Sequence, residues 1–199
     1  VLMGGMEIYL DNVSANQHSY QWIVPNNIAS NQALVRLSSA LDPTISSVSP
    51  TFIISSITVT LPNGGEIIQA GAPTNITWNS QYINNVSIDY SIDNGNNWVN
   101  VVENIPAITG TYSWNTPNNI SSSTALIRIK DHNTNSIFDV SDNTFTISRI
   151  VVTAPVSGSQ LQTNRTTTIR WEAGNIGNVL IEYSIDNGTS WNTIANNIN

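Results

Sequence analysis

Three aspartates that fall close together in a predicted loop are the residues of this sequence best suited to metal chemistry. Asp131, Asp139 and Asp142 lie within a stretch of twelve positions. Carboxylate oxygens on a loop are ligands that Ca²⁺ prefers. Their spacing matches no EF-hand, however, and a similar loop earlier in the chain carries only Asp42. We therefore predict no resident cofactor, with calcium at this loop as a candidate and a solvated loop as the competing interpretation.

Catalytic chemistry needs residue combinations that the sequence does not offer. The chain has 199 residues, two His and no Cys. The missing Cys excludes disulfides, thiolate metal ligands and Cys nucleophiles. His18 and His132 do not align with each other in the repeat described below, and neither lies in a motif. Abundant Ser does not make a Ser-His-Asp triad, which requires a specific constellation. We predict that the protein is not an enzyme.

One turn motif occurs twice. The sequence SIDNGNNW at 91–98 returns as SIDNGTSW at 184–191. An Asp carboxylate accepts hydrogen bonds from turn amides, and Gly takes the positive φ that a tight hairpin needs. The motif resembles the Asp-box, which has a structural role and lies away from active sites in the proteins that carry it. The predicted structural Asp-box residues are Ser91, Asp93, Gly95, Trp98, Ser184, Asp186, Gly188 and Trp191.

The motif belongs to a longer internal repeat. The segment at 87–98 matches the one at 180–191 with a shift of 93, and 19–28 matches 111–120 with a shift of 92. We therefore divide the chain into three parts. Residues 1–55 are the C-terminal half of one module, residues 56–148 a complete module, and residues 149–199 the N-terminal half of a third. A period this long argues against a propeller.

Each module is predicted to be all-β. Ile57, Val59 and Leu61 alternate with Thr in a first strand, as expected for a strand with one buried face. Six further strands are predicted at 76–78, 86–92, 98–105, 112–115, 125–129 and 145–148. Short strands separated by turn signals predict tandem immunoglobulin-like or fibronectin-III-like β-sandwich modules of about 93 residues.

The module boundaries carry no linker. Residues 51–62 align with 144–155, so the last strand of one module runs into the first strand of the next. Neither boundary contains a flexible Gly/Ser spacer or a Pro-rich one, and free pivoting is therefore not expected. We predict a semi-rigid rod.

The six Trp have two interpretations. Aromatic faces suit sugar rings, so they could form a glycan-binding platform. Each Trp, however, belongs to a repeated pair, which are 22 with 114, 78 with 171, and 98 with 191. Ile76 and Trp78 share one face of a predicted strand. We expect Trp78 and Trp114 to be core residues, and Trp98 to be the less buried hairpin Trp.

Composition limits the partners and the location. The net charge is -7 and the chain has six Lys and Arg, too few to neutralise a nucleic-acid backbone. No apolar stretch is long enough for membrane insertion. With 29 Asn, 24 Ser and 20 Thr, the surface must be polar but poorly charged, as in secreted or cell-surface proteins. Arg36 and Arg128 occupy equivalent positions, and we expect them to face solvent or a neighbouring module.

The whole module resembles a known domain family. Its frame comprises PNGG at 62–65, NITW at 75–78, TYSW at 111–114, ALIRI at 125–129 and DNTFTI at 142–147. This frame is similar to the Ser/Thr-rich GPI-anchored membrane protein family, an immunoglobulin-like or fibronectin-like domain. The resemblance implies tandem modules of bacterial secreted and surface proteins, often exported by the type IX route, and no catalytic residues.

These observations favour a non-enzymatic structural or adhesive repeat segment of a long extracellular surface or filament protein, acting as a semi-rigid strut. The alternative is a glycan-binding accessory module of a secreted carbohydrate-active enzyme. The expected partners are neighbouring modules of the same protein or other copies of it, and glycans. Other copies could act by head-to-tail strand complementation, in which the half-module of one chain completes that of the next.

Overall fold

The computed structural model describes residues 10–198. Within this range the chain forms strands and two short 3₁₀ turns, Ala15–Gln17 and Ala107–Thr109, which confirms the all-β class. No helix of the described range has the length and apolar character needed to cross a bilayer. The strands are β1 (Ser30–Ala33), β2 (Arg36–Ser38), β3 (Ser46–Val48), β4 (Phe52–Ile54), β5 (Ser56–Leu61), β6 (Ile67–Gln69), β7 (Pro73–Gln81), β8 (Asn85–Ser91), β9 (Val99–Pro106), β10 (Thr111–Asn115), β11 (Ser122–Asp131), β12 (Phe138–Val140), β13 (Phe145–Ala154), β14 (Arg170–Gly174), β15 (Val179–Tyr183) and β16 (Asn192–Ile198).

Two sheets enclose the buried centre of the molecule. The smaller sheet has the order β10-β7-β5 and is antiparallel. The larger sheet runs β14-β13-β11-β8-β9. Two short strands extend it, because β12 pairs with the end of β11 and β6 lies parallel to β13. Strand β11 therefore contacts β8 along one edge, and β13 followed by β12 along the other.

The buried side chains of the two sheets meet in one cluster. In β5, Ile57 and Val59 are buried and alternate with exposed Thr, because successive side chains of a strand point to opposite faces. Trp78 and Trp114 also lie in the cluster, which confirms their prediction as core residues. The full cluster is Ile57, Val59, Ile68, Ile76, Trp78, Val86, Ile88, Tyr90, Ala107, Trp114, Ala125, Ile127, Ile129, Phe145 and Ile147.

The structure adds two strands to the seven predicted for residues 56–148. Strands β6 and β12 have three residues each, too few for a periodic hydrophobic signal. They form because β13 and β11 offer them backbone partners. Strands β7 and β11 also extend beyond their predicted ends into Asn-, Ser- and Thr-rich sequence, since the ladder hydrogen bonds join backbone groups and not side chains.

The flanking segments repeat the strand pairing of the middle one. Ser30 faces Ile54 in the β1–β4 pair as Ser122 faces Ile147 in the β11–β13 pair. In the same way β2–β3 repeats β11–β12, the second half of β13 with β14 repeats β5–β7, and β15–β16 repeats β8–β9. The segments thus share one register, and their division at 56–148 stays a prediction.

Equivalent apolar side chains are buried in the middle segment and exposed in the flanking ones. Tyr90 is 8% exposed and its counterpart Tyr183 is 49% exposed. Ile129 is fully buried, whereas Leu37 at the equivalent position is 72% exposed. Within residues 10–198, β15 pairs only with β16, and β2 pairs only with β3. Within the described residues, these apolar side chains of the flanking segments are therefore uncovered.

The passage from the middle segment to the C-terminal one takes place inside a single strand. Strand β13 is continuous from Phe145 to Ala154. Its first part pairs with β11 and β6, and its second part pairs with β14. As predicted, no linker separates the two segments.

Burial predicts a large difference between two isoleucines. Ile127 is fully buried between the sheets, whereas Ile108 is 93% exposed. Ile127→Ala should lower the free energy of unfolding by about 2–5 kcal/mol, because it removes buried methyl groups and leaves a cavity. Ile108→Ala, the matched control, should change it by less than about 0.5 kcal/mol. Urea denaturation measures both, and equal effects would contradict the core assignment.

Candidate functional site

Side chains of the repeated motif hold the turn between β8 and β9. Ser91 Oγ donates to Asp93 Oδ1 at 2.7 Å and accepts from the Gly95 amide at 2.9 Å. The Asp93 carboxylate accepts from the Asn97 amide at 2.8 Å and from Asn97 Nδ2 at 2.6 Å. These bonds satisfy amides that cannot pair within the strand ladder where the chain reverses.

The second turn has the same bonds. Ser184 Oγ donates to Asp186 Oδ1 at 2.7 Å and accepts from the Gly188 amide at 2.8 Å. Asp186 accepts from the Ser190 amide at 2.9 Å and from Ser190 Oγ at 2.5 Å. Ser190 therefore takes the place of the Asn at the equivalent position of the first turn. The identification of both turns with the Asp-box stays a prediction.

Glycine in these turns meets two requirements. Gly95 and Gly188 have φ of 84° and 83°, a region that other residues rarely adopt. A Cβ atom on Gly95 would lie 3.5 Å from Trp98 Cζ2, and one on Gly188 would lie 3.6 Å from Trp191 Cζ2. Each Trp therefore packs directly over the turn of its own hairpin, although Trp191 remains 60% exposed.

The turn bonds stabilise the charged form of both aspartates. The Asn97 side chain, followed by the Asn97 amide and Ser91 Oγ, lowers the pKa of Asp93 below its ordinary value. The Ser190 hydroxyl, followed by the Ser190 amide, lowers the pKa of Asp186 to about 2. Donors that bond to a carboxylate favour its ionised form. Both groups act as fixed acceptors at neutral pH.

Asp89 is a buried carboxylate on the outer face of the larger sheet. Its neighbours on β8, Ile88 and Tyr90, belong to the core, so the Asp89 side chain points to the opposite face. Arg128 Nη2 and Lys130 Nζ lie 2.8 Å and 3.0 Å from its Oδ2. The Asp89 side chain is only 5% exposed. A buried charge of this kind is stable only when it is paired and hydrogen-bonded.

Long side chains of β11 cover this carboxylate. Arg128 lies over Trp98, with its guanidinium carbon 4.3 Å from the ring centroid. Burial raises the pKa of Asp89, but hydrogen bonds from Arg128, Lys130 and Asn100 outweigh burial and hold this pKa below its ordinary value. The Arg128 and Lys130 side chains cover the outer face of β8, which explains why this strand is buried on both faces from Val86 onward.

The sequence alone did not identify the partner of Arg128. Asp89 stands at a polar position of an alternating strand, which by itself indicates an exposed side chain. Only the pairing of β8 with β11 places Arg128 directly opposite Asp89. The expectation that Arg128 faces solvent or another module is therefore replaced by a partly buried ion pair.

The three aspartates proposed as calcium ligands serve different backbone and side-chain partners. Asp131 accepts from an amide two positions further on. Asp139 Oδ2 accepts from the Val59 amide at 2.8 Å, and Asp142 Oδ2 accepts from Asn63 Nδ2 at 2.8 Å. Within residues 10–198 no group of three or more His, Cys, Asp or Glu is arranged to hold a metal. Asp139 and Asp142 instead tie the β12 region to β5 and the turn that follows it.

The two histidines lie in different surroundings. His132 Nδ1 is 3.0 Å from Ser87 Oγ. Ser87 is 1% exposed, and a hydroxyl that no substrate reaches cannot act as a nucleophile. His18 is exposed and follows the 3₁₀ turn Ala15–Gln17.

The two segment junctions carry the same side-chain bond. Ser55 Oγ donates to the Tyr82 carbonyl at 3.1 Å, and Ser148 Oγ donates to the Asn175 carbonyl at 3.0 Å. Tyr82 and Asn175 also share a positive φ, 56° and 55°. Asn175 Nδ2 in turn donates to the Ile147 carbonyl at 3.0 Å. The loop of each following segment is thereby bonded to the strand that enters it.

The second junction has further contacts. Arg149 Nε donates to the Asn118 carbonyl at 3.0 Å, and Arg149 Nη1 donates to Glu172 Oε2 at 2.9 Å. Strand β14 also approaches the preceding segment closely, because a Cβ on Gly174 would overlap the side chain of Ser121. The Asn118 and Ser121 contacts thus join the β13–β14 region to the preceding segment.

The C-terminal segment contains an apolar groove of about 520 Å³. Val152, Trp171 and Tyr183 are part of its lining. Val152 and Trp171 correspond, at a shift of 93, to Val59 and Trp78 of the buried cluster. The groove is thus the equivalent of the core between the two sheets, without the strands that cover it in the middle segment.

No family model, curated protein or solved structure matches the chain.

The lowered pKa values predict how the two turns respond to acid. A group with a lowered folded-state pKa contributes stability above its unfolded value, about 4, which is lost as the pH falls through the folded-state value. The Asp186 turn should therefore lose its hydrogen bonds as the pH falls toward about 2. Carboxyl ¹³C NMR titration measures this pKa, and a midpoint at or above 3.8, the ordinary value, would contradict the bonding. Asp93→Asn should leave the Asp186 midpoint unchanged.

The ion pairs Arg128–Asp89 and Arg149–Glu172 have similar lengths, but they should contribute unequally to the free energy of unfolding. The reason is that only the Asp89 carboxylate is buried. Asp89→Ala leaves Arg128 and Lys130 without their buried partner and should destabilise the fold by about 3 kcal/mol. Glu172→Ala is the matched control, since the Glu172 side chain is 64% exposed and an exposed pair contributes less than about 1 kcal/mol. Urea midpoints of the two variants provide the comparison. Similar losses for both would show that the Asp89 cluster is not a buried constraint.

Proposed function

We propose that this chain is a non-enzymatic structural or adhesive repeat segment of a long extracellular surface or filament protein. Its modules act as a semi-rigid strut. The observation that carries the proposal is β13, whose ten residues belong to the pairing of two successive segments. The strand passes from one pairing to the next without an intervening loop, and hydrogen bonds of Ser148 and Arg149 cross the junction, which supports a fixed relative orientation of the segments.

The proposal includes the finer fold assignment. Residues 56–148 form an immunoglobulin-like or fibronectin-III-like β-sandwich, and residues 1–55 and 149–199 are parts of the same module type. The two sheets that share one apolar cluster support this assignment. The successive strands β5 and β6 also support it, because β5 pairs with β7 in the smaller sheet and β6 lies parallel to β13 in the larger one. The first part of the module thus contributes to both sheets.

The repeated junction contacts support the mechanical role. The Ser55–Tyr82 bond has a length of 3.1 Å, and the equivalent Ser148–Asn175 bond has a length of 3.0 Å. A bond shared by both junctions favours a similar orientation of each segment relative to the one before, as in a regular solenoid or rod. Length and stiffness are then the functional quantities, and neighbouring modules are the principal partners.

An extracellular location fits the surface chemistry. Asn, Ser and Thr make up more than a third of the chain, and only 10% of the residues are charged. The turns are held by side-chain to backbone hydrogen bonds, and the fold uses no disulfide. With a pI of about 4.4, the protein has no charge complementarity to nucleic acid. We propose secretion to the cell surface and neither membrane insertion nor a resident cofactor.

Exposed aromatic residues favour one alternative function. Trp191 is 60% exposed and Tyr183 is 49% exposed, and aromatic faces are suited to sugar rings. The alternative is therefore a glycan-binding accessory module of a secreted carbohydrate-active enzyme. A glycan array distinguishes the two, because a strut should give no signal and Trp191→Ala should abolish any signal from a binding module.

The strut proposal predicts how the chain responds to an inserted linker. Small-angle scattering of the native chain should show one extended particle with a narrow distribution of maximum dimensions. A four-residue Gly-Ser insert between Ser148 and Arg149 should broaden this distribution, since it breaks β13. The same insert in the exposed loop at 133–136 is the control and should leave scattering unchanged. Equal flexibility of the native chain and the junction variant would refute the strut.

A further inference from the structure

The beginning and the end of the middle segment lie side by side. Strand β6 is parallel to the first part of β13, with Ile67 opposite Thr146 and Gln69 opposite Ser148. Directly after these paired positions, the Ala70 amide donates to the Ser148 carbonyl at 2.8 Å. The chain that has entered the segment is thus bonded to the chain that is about to leave it.

Hydrogen bonds continue this contact ahead of β6. The Val59 amide donates to Asp139 Oδ2, and Ser141 Oγ donates to the Pro62 carbonyl, both at 2.8 Å. Ser141 Oγ also accepts from the Ile127 amide at 3.0 Å. One buried hydroxyl therefore joins the end of β5 to the middle of β11.

The turn between β5 and β6 is bonded to the chain that precedes β13. Asn63 Nδ2 donates to Asp142 Oδ2, and Asn63 Oδ1 accepts from the Asp142 amide, both at 2.8 Å. The Asn143 amide donates to the Asn63 carbonyl at 3.1 Å. The Gly65 amide donates to the Thr144 carbonyl at 3.0 Å. Side chains and backbone thus hold this turn together.

Gly64 permits the close approach of the two chains at this turn. Its φ is 138°, and a Cβ atom there would lie 2.6 Å from Asn143 Cβ. Only glycine adopts such a backbone readily, and no side chain fits in the remaining space. The Glu66 carboxylate accepts from the Asn63 and Gly64 amides, each at 2.8 Å. The turn is therefore fixed from its own side as well.

Together these bonds form one contact, the parallel seam, between residues 59–70 and residues 139–148. Positions 59, 62, 63, 65, 66 and 70 meet positions 139, 141, 142, 144, 146 and 148 in that order. Both sides of the seam therefore advance in the same direction. The seam is a continuous lateral connection between the first and the last part of the segment.

Tension along the chain would load the parallel seam in shear. The pull from the preceding segment acts at Ser56, and the pull from the following segment acts just after Ser148. Because both sides of the seam run in the same direction, these pulls draw them past each other along their length. Hydrogen bonds between parallel strands are evenly spaced and slanted across the strands, so such sliding strains them together. Peeling from one end would instead break them one after another.

We propose that the middle segment bears tension along the chain and that the parallel seam is the element that resists it. The inference rests on the proposed function, because a structural or adhesive segment transmits force between the parts on its two sides. Forced unfolding is governed by the rate of unfolding and not by equilibrium stability alone. The bonds of the seam set this rate under load.

Two pulling directions on the same fold test the seam. The chain contains no Cys, so introduced Cys residues give unique attachment points for single-molecule force spectroscopy of the full chain. Ile53→Cys combined with Ile150→Cys is the seam-loading pair. These two isoleucines are 62% and 45% exposed and lie on either side of the middle segment. Tension between them passes through β5 and β13.

Ile53→Cys combined with Ile108→Cys is the one-ended pair and serves as the control. Ile108 is 93% exposed, and the amide just before it donates to the Asn84 carbonyl at 2.8 Å. Ser56 pairs with Gln81 at the end of β7, so this turn lies at the end of the segment where the chain enters. Tension in the one-ended pair does not pass through β13 and leaves the seam without shear.

The seam-loading pair should unfold at a mean force at least about twofold higher than the one-ended pair at the same pulling speed. Each unfolding event is recognised by a gain in length that corresponds to the residues between the attachment points. Urea midpoints of the two double-Cys variants should agree, which assigns the difference to the direction of force. Equal forces in the two directions, or a higher force in the one-ended pair, would overturn the proposal.

A substitution within the seam provides a second test. Asn63→Ala removes the side-chain bonds to Asp142 and should raise the unfolding rate of the seam-loading pair under constant load by about tenfold. Asn97→Ala, the matched control, removes a side-chain bond to Asp93 in a turn outside the seam. It should change this rate by less than about twofold, since that turn does not carry the load. Similar rates for the two variants would contradict the role of the seam.

Failure of the seam is distinguishable from failure of the proposed function. The strut is tested by scattering of the unloaded chain with and without the linker insert. A stiff chain whose middle segment unfolds at equal force in both pulling directions would refute only the seam.

Discussion

Strand β13 takes part in two sheet pairings at once. Its first residues pair with β11 and β6 and close the core of the middle segment, and the residues after Ser148 pair with β14. Backbone hydrogen bonds hold each part of the strand to its own partners. Arg149 and the Ser148–Asn175 bond add contacts at the same point. In the proposed strut, these contacts would set the orientation of one segment relative to the next.

Polar side chains hold the turns of this weakly charged protein by hydrogen bonding to backbone amides. Ser, Asn and Asp side chains bond directly to backbone amides, as Ser91 and Asp93 do in the β8–β9 turn. Local side-chain acceptors of this type fix a turn without a disulfide or a metal. Asp89 carries a buried charge, which is held by Arg128 and Lys130. No buried side-chain polar atom of residues 10–198 is without a partner.

Apolar side chains are uncovered on both flanking segments of the described residues. Leu37 and Tyr183 are exposed although their counterparts Ile129 and Tyr90 are buried. Faces of this type mark interaction surfaces when they are contiguous.

The sequence by itself determined the all-β class, the period of 93 or 92 residues, the seven main strands and the absence of a linker at the junction. Those features depend on side-chain alternation, local turn chemistry and the internal repeat, all of which can be recognised in the sequence without a structure. Tertiary structure alone decided that β6 and β12 form, that Asp89 meets Arg128, and that Asp139 accepts a hydrogen bond from the Val59 amide. These contacts join residues far apart in the chain, and only the pairing of strands fixes which of them meet.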